Sequence, residues 1–345
     1  MLVAAVVVIA ALVAGGVTLG VLQLQSRTNP QSVNLGSRVT ITEDSAIVQA
    51  AARAKPAVVS VVTQVEPSVS AGSGYLATSD GFIVTNVQVI AHSSLLTVLL
   101  VGDAKAHRAR LVDYDCQTGV AVLKIDQVSG LPTLAFADPT SLVQGQVVVA
   151  VGGPLNGLSL SGHVSALHRP VTVTNPVASD QTVEIGDTIQ TDAVIDPATA
   201  GGPLLNVGGQ VIGVSMSAQG SSGGFGLNTA DIQDDVQQIL ANGQLIVASL
   251  GASSGVLTQQ SAALVGAPEG SRLKTIDKIG PAATAGLRAG DVITQLDDVT
   301  VDAAHPLPLL LRSRFHPNQR VTVTYSRDGT STQVQLTLVG AHPAC

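Results

Sequence analysis

Hydrolysis by a side-chain nucleophile needs three groups. An oxygen or sulfur attacks, an imidazole takes its proton, and a carboxylate holds that imidazole in the useful tautomer. The chain has residues of each type: Thr199 and Cys116 as attacking groups, His92, His107 and His163 as imidazoles, Asp115 and Asp192 as carboxylates. No recognisable spacing joins them into a set. The stretch from Ile189 to Leu205, with Asp196-Pro197-Ala198-Thr199-Ala200-Gly201-Gly202-Pro203-Leu204 at its centre, has the glycines and prolines of a shaped loop and no serine. Cys116 has no base identified beside it. The two cysteines, Cys116 and Cys345, show no Cys-x-x-Cys spacing, so no metal site is read from them. They fit a disulfide in an oxidising compartment or two separate thiols, and both readings stay open.

The elements that must position these groups follow from composition. A chain of 345 residues has room for two domains and a terminal segment. Hydrophobic residues are 45% and aromatics 2%, with no Trp, so Val, Leu, Ile and Ala must fill the cores, and the β-branched bias favours strands. The net charge is −7 and no Lys/Arg cluster occurs, which argues against nucleic acid as a partner.

Met1 to Leu22 is uncharged and almost wholly apolar. As a helix it would span about 33 Å, enough for a bilayer core. The run exceeds a signal-peptide core and no small-x-small cleavage site follows, so a retained single-pass anchor is expected. Residues 23–44 read as a polar linker. Ser45 to Lys55 reads as a short helix with Ser45 as N-cap and Pro56 as its end. From Val58 to about Ala230, short apolar runs alternate with Gly, Asp, Asn and Pro and lack intervening amphipathic helices. That text indicates an all-β barrel or sandwich. Ala230 to Asn242 is a helix with Ile232, Val236, Ile239 and Leu240 on one face and Gly243 after its end. A second module runs from Gly251 to Gly340. Its clearest signal is the period-two pair Arg320–Ser326 and Thr332–Leu338 around Asp328-Gly329, a hairpin.

Several segments, in order, resemble the HtrA-type trypsin-like serine proteases. Asp80-Gly81-Phe82-Ile83-Val84-Thr85-Asn86 looks like that family's opening hairpin, and Thr118-Gly119-Val120-Ala121-Val122-Leu123-Lys124-Ile125 like its Thr-Asp-Leu-Ala-Val-Leu-Lys-Ile. Ser161-Gly162-His163-Val164-Ser165-Ala166-Leu167 resembles Ser-Gly-x-Val-Ser-Ala-Leu. The Asp196–Leu204 stretch resembles the nucleophile loop Gly-Asn-Ser-Gly-Gly-Pro, and the C-terminal module looks like the family's PDZ domain. The resemblance implies a mainly β chain: a chymotrypsin-like double β-barrel over residues 45–245, of about six strands per barrel, then a PDZ-like domain over 249–340, behind an N-terminal transmembrane helix.

It also implies where catalysis would sit, and those positions are replaced. The histidine after Thr-Asn-x is Gln88, the aspartate is Gly119 and the serine is Ala200. An amide takes no proton near neutral pH, and a hydrogen or a methyl group has no reactive atom. Losing one member of such a triad costs about ten-thousand-fold or more. The oxyanion hole needs backbone N–H groups at Ala198 and Ala200, and Ala198 stands where the family has Gly. Thr199 neighbours the serine position with its side chain expected to point elsewhere, and His92, one helical turn after Gln88, is the nearest replacement imidazole. In the second module Ser249-Leu250-Gly251-Ala252 matches the family's carboxylate-binding loop, so Leu250, Gly251 and Ala252 are the expected peptide contacts.

The reading is therefore a membrane-anchored protease homologue without a working triad. It would bind unfolded or C-terminal peptides through the PDZ-like module, need no cofactor and lie outside the cytoplasm. Two alternatives stand beside it: an active serine-type endopeptidase with a relocated site, and a structural subunit in a homo- or hetero-oligomer with HtrA relatives.

Overall fold

The structure, a computed structural model, describes residues 43–65, 68–93, 95–175, 182–217 and 223–343. The chain divides into two compact units, residues 1–46 and 47–345. The apolar run Met1 to Leu22 and the linker up to residue 42 lie outside the described residues. Among the described residues no helix is long and apolar enough to cross a membrane.

Helix α1 covers Glu43–Ala54 and continues into a 3-10 turn, Lys55–Ala57, that contains Pro56. Ser45 is thus inside the first turn rather than capping it, an offset within the usual uncertainty of helix ends. Strands β1 (Val58–Val65), β2 (Ser68–Leu76) and β3 (Phe82–Asn86) follow, then the short helix α2 (Val87–Ile90), then β4 (Leu95–Leu99), β5 (Ala106–Tyr114) and β6 (Val120–Ile125). The six strands close into a barrel in the order β1-β2-β3-β6-β5-β4. A second closed barrel is built from β7 (Val147–Val151), β8 (Ser159–Thr174), β9 (Thr182–Thr191), β10 (Pro203–Leu205), β11 (Val211–Met216) and β12 (Gly224–Asn228), in the order β10-β11-β12-β9-β8-β7.

Period-two alternation fills these barrels with small aliphatic side chains. In β1, Val59 and Val61 enter the first barrel's own core, while Val58 points the other way into a cluster shared with the second barrel. In β7, Val148 and Ala150 enter the second barrel, and Val149 and Val151 join the shared cluster. Helix α3 (Thr229–Asn242) buries Ile232, Val236 and Ile239 against that cluster. It starts one residue before the expected Ala230, because the Asn228 side chain accepts the Ala230 N–H and caps it. Gly243, at φ 73°, closes it in the left-handed conformation.

The C-terminal module contains β13 (Val247–Ser249), β14 (Ala252–Leu257), α4 (Gln259–Leu264), β15 (Gly270–Ile276), α5 (Pro281–Thr284), β16 (Val292–Leu296), β17 (Val299–Thr300), α6 (Leu307–Ser313), β18 (Arg320–Arg327), β19 (Thr330–Thr337) and β20 (Val339–Ala341). Its main sheet runs β14-β15-β16-β18-β19, with β17 on β16, and β13 pairs separately with β20. Strand β14 is an edge. A second core of Leu250, Leu273, Ile293, Leu296, Val321, Val323 and Leu336 holds the module together.

Candidate functional site

The loop that carries Ala200 and the helix that carries Gln88 meet where the two barrels join. Asn86 sets the helix. Its side-chain oxygen accepts the Val89 N–H at 2.9 Å, and its amide donates to the Ser215 carbonyl of the second barrel at 2.9 Å. Gln88 then donates through Nε2 to the Ser217 carbonyl at 3.2 Å. Its Oε1 is buried and finds no hydrogen-bond partner among the described residues. Gly119 lies at the start of the same helix, where its carbonyl accepts the Val87 N–H at 2.8 Å. Val89 reaches the Ala200 loop, since a Cβ built on Gly201 would meet its Cγ2 at 2.9 Å. Gln88, Gly119 and Ala200 are thus gathered at one junction.

Gly119 is more than a deleted side chain. Its φ is +79°, and a Cβ there would meet Ile185 Cδ1 at 2.7 Å and Leu227 Cδ2 at 3.0 Å. An L-residue at this position is strained in its backbone and has no room for its side chain.

The Ala200 loop is wound on itself. The Thr199 N–H donates to Asp196 Oδ1 at 2.7 Å, and the Ala200 N–H donates to the Asp196 carbonyl at 3.0 Å. That N–H would be an oxyanion-hole donor, and here it already has a partner inside the loop. Ala198 does not take a positive φ. Its carbonyl accepts the Ser73 hydroxyl at 2.6 Å, and Ser73 Oγ in turn accepts the Gly153 N–H at 2.8 Å. Thr199 is fully buried, and its Oγ1 has no hydrogen-bond partner among the described residues.

The other groups with chemistry are placed elsewhere. Helix α2 ends at Ile90, so His92 is not on its next turn; it sits exposed in a left-handed conformation at φ 55°. His163 pairs with Asp192: the His163 N–H donates to Oδ1 at 2.5 Å, and Nδ1 lies 3.7 Å from Oδ2. That backbone hydrogen bond holds the Asp192 carboxyl below the usual range. His107 Nε2 is 2.9 Å from Asp103 Oδ2. Cys116 is buried and disulfide-bonded, so it is not a thiol nucleophile. Cys345 lies outside the described residues.

Asp115, read from sequence only as a carboxylate near a motif, is fully buried and forms an ion pair with Arg312 of α6. Arg312 also donates to Asp235 Oδ2 at 2.8 Å. Asp115, Asp235 and Arg312 are far apart in sequence, and no local pattern joins them.

In the C-terminal module the expected peptide loop forms a tight turn. Leu250 is buried in the module's core, and its carbonyl accepts the Ala282 N–H at 2.8 Å. Gly251, at φ +70°, packs against Gly280, where a Cβ would approach to 3.0 Å. The Gly251 N–H donates to Ser249 Oγ at 3.0 Å. Ala252 opens β14 and faces Ile276 of β15 in register. The opposite edge of β14 is unpaired among the described residues.

Residues 72–214 match the model of the trypsin-like peptidase domain, and residues 211–338 match that of the PDZ domain. A probable periplasmic serine endoprotease, DegP-like, from Halomonas elongata is 37% identical over 280 residues, covering 78% of this chain and 56% of its own. The serine protease Do-like HtrA of Lactococcus lactis subsp. lactis is 36% identical over 297 residues, covering 78% of this chain and 70% of its own. The serine protease PepD of Mycobacterium tuberculosis is 32% identical over 315 residues, covering 85% and 66%. The solved HtrA-type protease AlgW with a decapeptide superposes with a TM-score of 0.69 at 27% identity, covering 86% of this chain and 99% of that one. A serine endoprotease from Yersinia pestis superposes with a TM-score of 0.64 at 27% identity, covering 86% and 98%. The chain belongs to the HtrA family of trypsin-like serine proteases with a PDZ domain.

Proposed function

We propose that this chain is a non-hydrolysing member of its family that captures peptides through the PDZ module. The observation that carries the reading is the Ala200 loop. The position of the attacking oxygen holds a methyl group, and its N–H is turned to the Asp196 carbonyl at 3.0 Å. Gln88 and Gly119 add to it, since neither supplies a base or an orienting carboxylate. Thr199 does not substitute for the serine, because its hydroxyl is buried. Peptide capture has lighter requirements. Strand addition uses an open sheet edge and backbone groups, and β14 offers such an edge. The name of the solved AlgW complex records a decapeptide bound to that relative.

The placement proposed with it is extracytoplasmic, with residues 1–22 as a single-pass anchor. The hydropathy of that run and the periplasmic naming of the Halomonas relative support it.

The test uses purified protein, unfolded casein and a serine-reactive fluorophosphonate probe. No cleavage and no labelling are expected. Cleavage that disappears when Thr199 or a neighbouring serine is changed would reveal a relocated nucleophile and overturn the reading. Peptide capture is measured separately, by titrating a labelled peptide with a free C-terminal carboxylate. The Ser249→Ala change frees the Gly251 N–H and should tighten binding by a few-fold to about tenfold, the worth of about one hydrogen bond.

A further inference from the structure

Arg312 stands on α6, the helix of the PDZ module that packs on β13 and β14. Its guanidinium leaves the module and reaches the loop that carries Asp115 and the α3 residue Asp235. One nitrogen is ion-paired with Asp115, and the other donates to Asp235 Oδ2 at 2.8 Å. Asp115 is fully buried, Asp235 is 4% exposed, and the Arg312 side chain is 13% exposed. The Thr118 hydroxyl donates to the same Asp235 oxygen at 2.9 Å. Asp115 also ties its own loop, taking the Gln117 N–H on Oδ1 at 2.7 Å and the Gly119 N–H on its carbonyl at 2.8 Å.

The contacts continue on both sides of Asp115. Asp113 Oδ2 accepts the Leu245 N–H at 2.6 Å, at the segment that joins α3 to β13. Asp113 Oδ1 lies 2.8 Å from His342 Nε2, beyond β20. The His342 ring stands edge-on to Tyr114 at 5.5 Å. Cys116 of the same loop is disulfide-bonded. This loop ends at Gly119, where the resemblance to the family would put a carboxylate.

We propose that the 113–119 loop and α3 form a docking platform for the PDZ module, pinned by Arg312, which holds module and barrels as one rigid body. A buried ion cluster adds little net stability, because desolvation offsets the attraction. Its effect is directional. A guanidinium shared between two carboxylates accepts one orientation, and any tilt of the module leaves buried charge unpaired. A peptide added to the edge of β14 would then be presented to the barrels in one fixed pose. The docking itself is independent of whether the triad is inactive.

The experiment is amide hydrogen exchange on the full chain, read at Leu245, whose N–H is held by Asp113. Thermolysin cleavage of residues 243–249 provides a second reading. The Arg312→Met variant should raise Leu245 exchange and cleavage at this segment at least about tenfold, while the β16 and β11 amides stay protected. Arg312→Lys, which keeps the charge but cannot bridge both carboxylates, should fall between. A folded Arg312→Met protein with unchanged Leu245 exchange would overturn the proposal. If that variant fails to fold, Arg312→Met combined with Asp115→Asn and Asp235→Asn removes all three charges. It should show the same loosening, and wild-type exchange in it would equally overturn the pin.

Discussion

At the residue scale Gln88, Gly119 and Ala200 are not alike. Gln88 and Ala200 sit on well-tied frames: α2 is capped by Asn86, and the Ala200 carbonyl accepts the Ser73 N–H at 2.8 Å. Gly119 sits on a frame that suits glycine. At φ +79°, with Ile185 and Leu227 against the place of a Cβ, the chain has settled into a conformation that favours glycine. Gly119→Asp should therefore destabilise the protein by about 1–3 kcal/mol or more, from backbone strain and lost room. Urea unfolding measures this, and an unchanged midpoint with unchanged slope would refute it. Placing a carboxylate at position 119 by side-chain replacement alone is accordingly unfavourable. The convergence of Gln88, Gly119 and Ala200 could be expected from the sequence, because each sits inside a long motif that resembles the family's. The φ of Gly119 and the inward-turned N–H of Ala200 could not, since both depend on what the neighbouring barrel packs against them. The disulfide at Cys116 was left open by a sequence that offers no other cysteine near it.

At the element scale the strands were the most readable part. β1 covers Val58–Val65, at the start of the run of short apolar segments, and the hairpin around Asp328-Gly329 forms where the turn chemistry puts it. Short helices were less readable. α2 stops at Ile90, so His92 leaves the helix instead of completing a turn, and four residues give too little periodicity to show where the end lies. The periodicity of 230–242 predicts helix α3, while its cap, Asn228, a good N-cap type, lies just outside that periodic run. That helix carries a testable pH effect. Burial, followed by the nearby Asp187, pushes the Asp231 carboxyl up to about 6. The unfolded chain releases this proton near pH 4, while the folded chain holds it until about 6. Between those values the folded state binds more protons, so this group's contribution to stability is full below about pH 4 and is lost as pH rises towards 6. Asp231→Asn, which cannot ionise, should flatten the stability profile between about pH 4 and 6 by on the order of 1 kcal/mol. Thermal midpoints taken at half-unit steps check this. A slope identical to that of the unmodified chain would assign the effect to other groups.

At the scale of the whole molecule, the two barrels should open as one unit, because they own one interior in common. Each has a private core: Leu76, Ile83 and Leu123 in the first, Ile189, Leu204 and Ile212 in the second. Between them lies a larger cluster that takes Val58, Tyr75, Val84 and Val122 from the first barrel, Val149, Leu205, Val214 and Leu227 from the second, and Ile232 and Val236 from α3. Polar ties cross the same plane. Ser73 of the first barrel donates its N–H to Ala200, and Asn86 donates to Ser215. Opening either barrel alone would expose half of that cluster and break those bonds, so the separated state gains little and loses much. Leu205→Ala, at a fully buried position of the shared cluster, should cost about 2–5 kcal/mol, the range for large-to-small changes in a core. The loss should appear equally in both barrels. Native-state hydrogen exchange gives the opening free energy of β3 amides in the first barrel and β11 amides in the second. Both should fall by the same amount in the variant. A fall confined to β11, with β3 as protected as before, would show that the second barrel opens alone and that the shared cluster does not couple the pair.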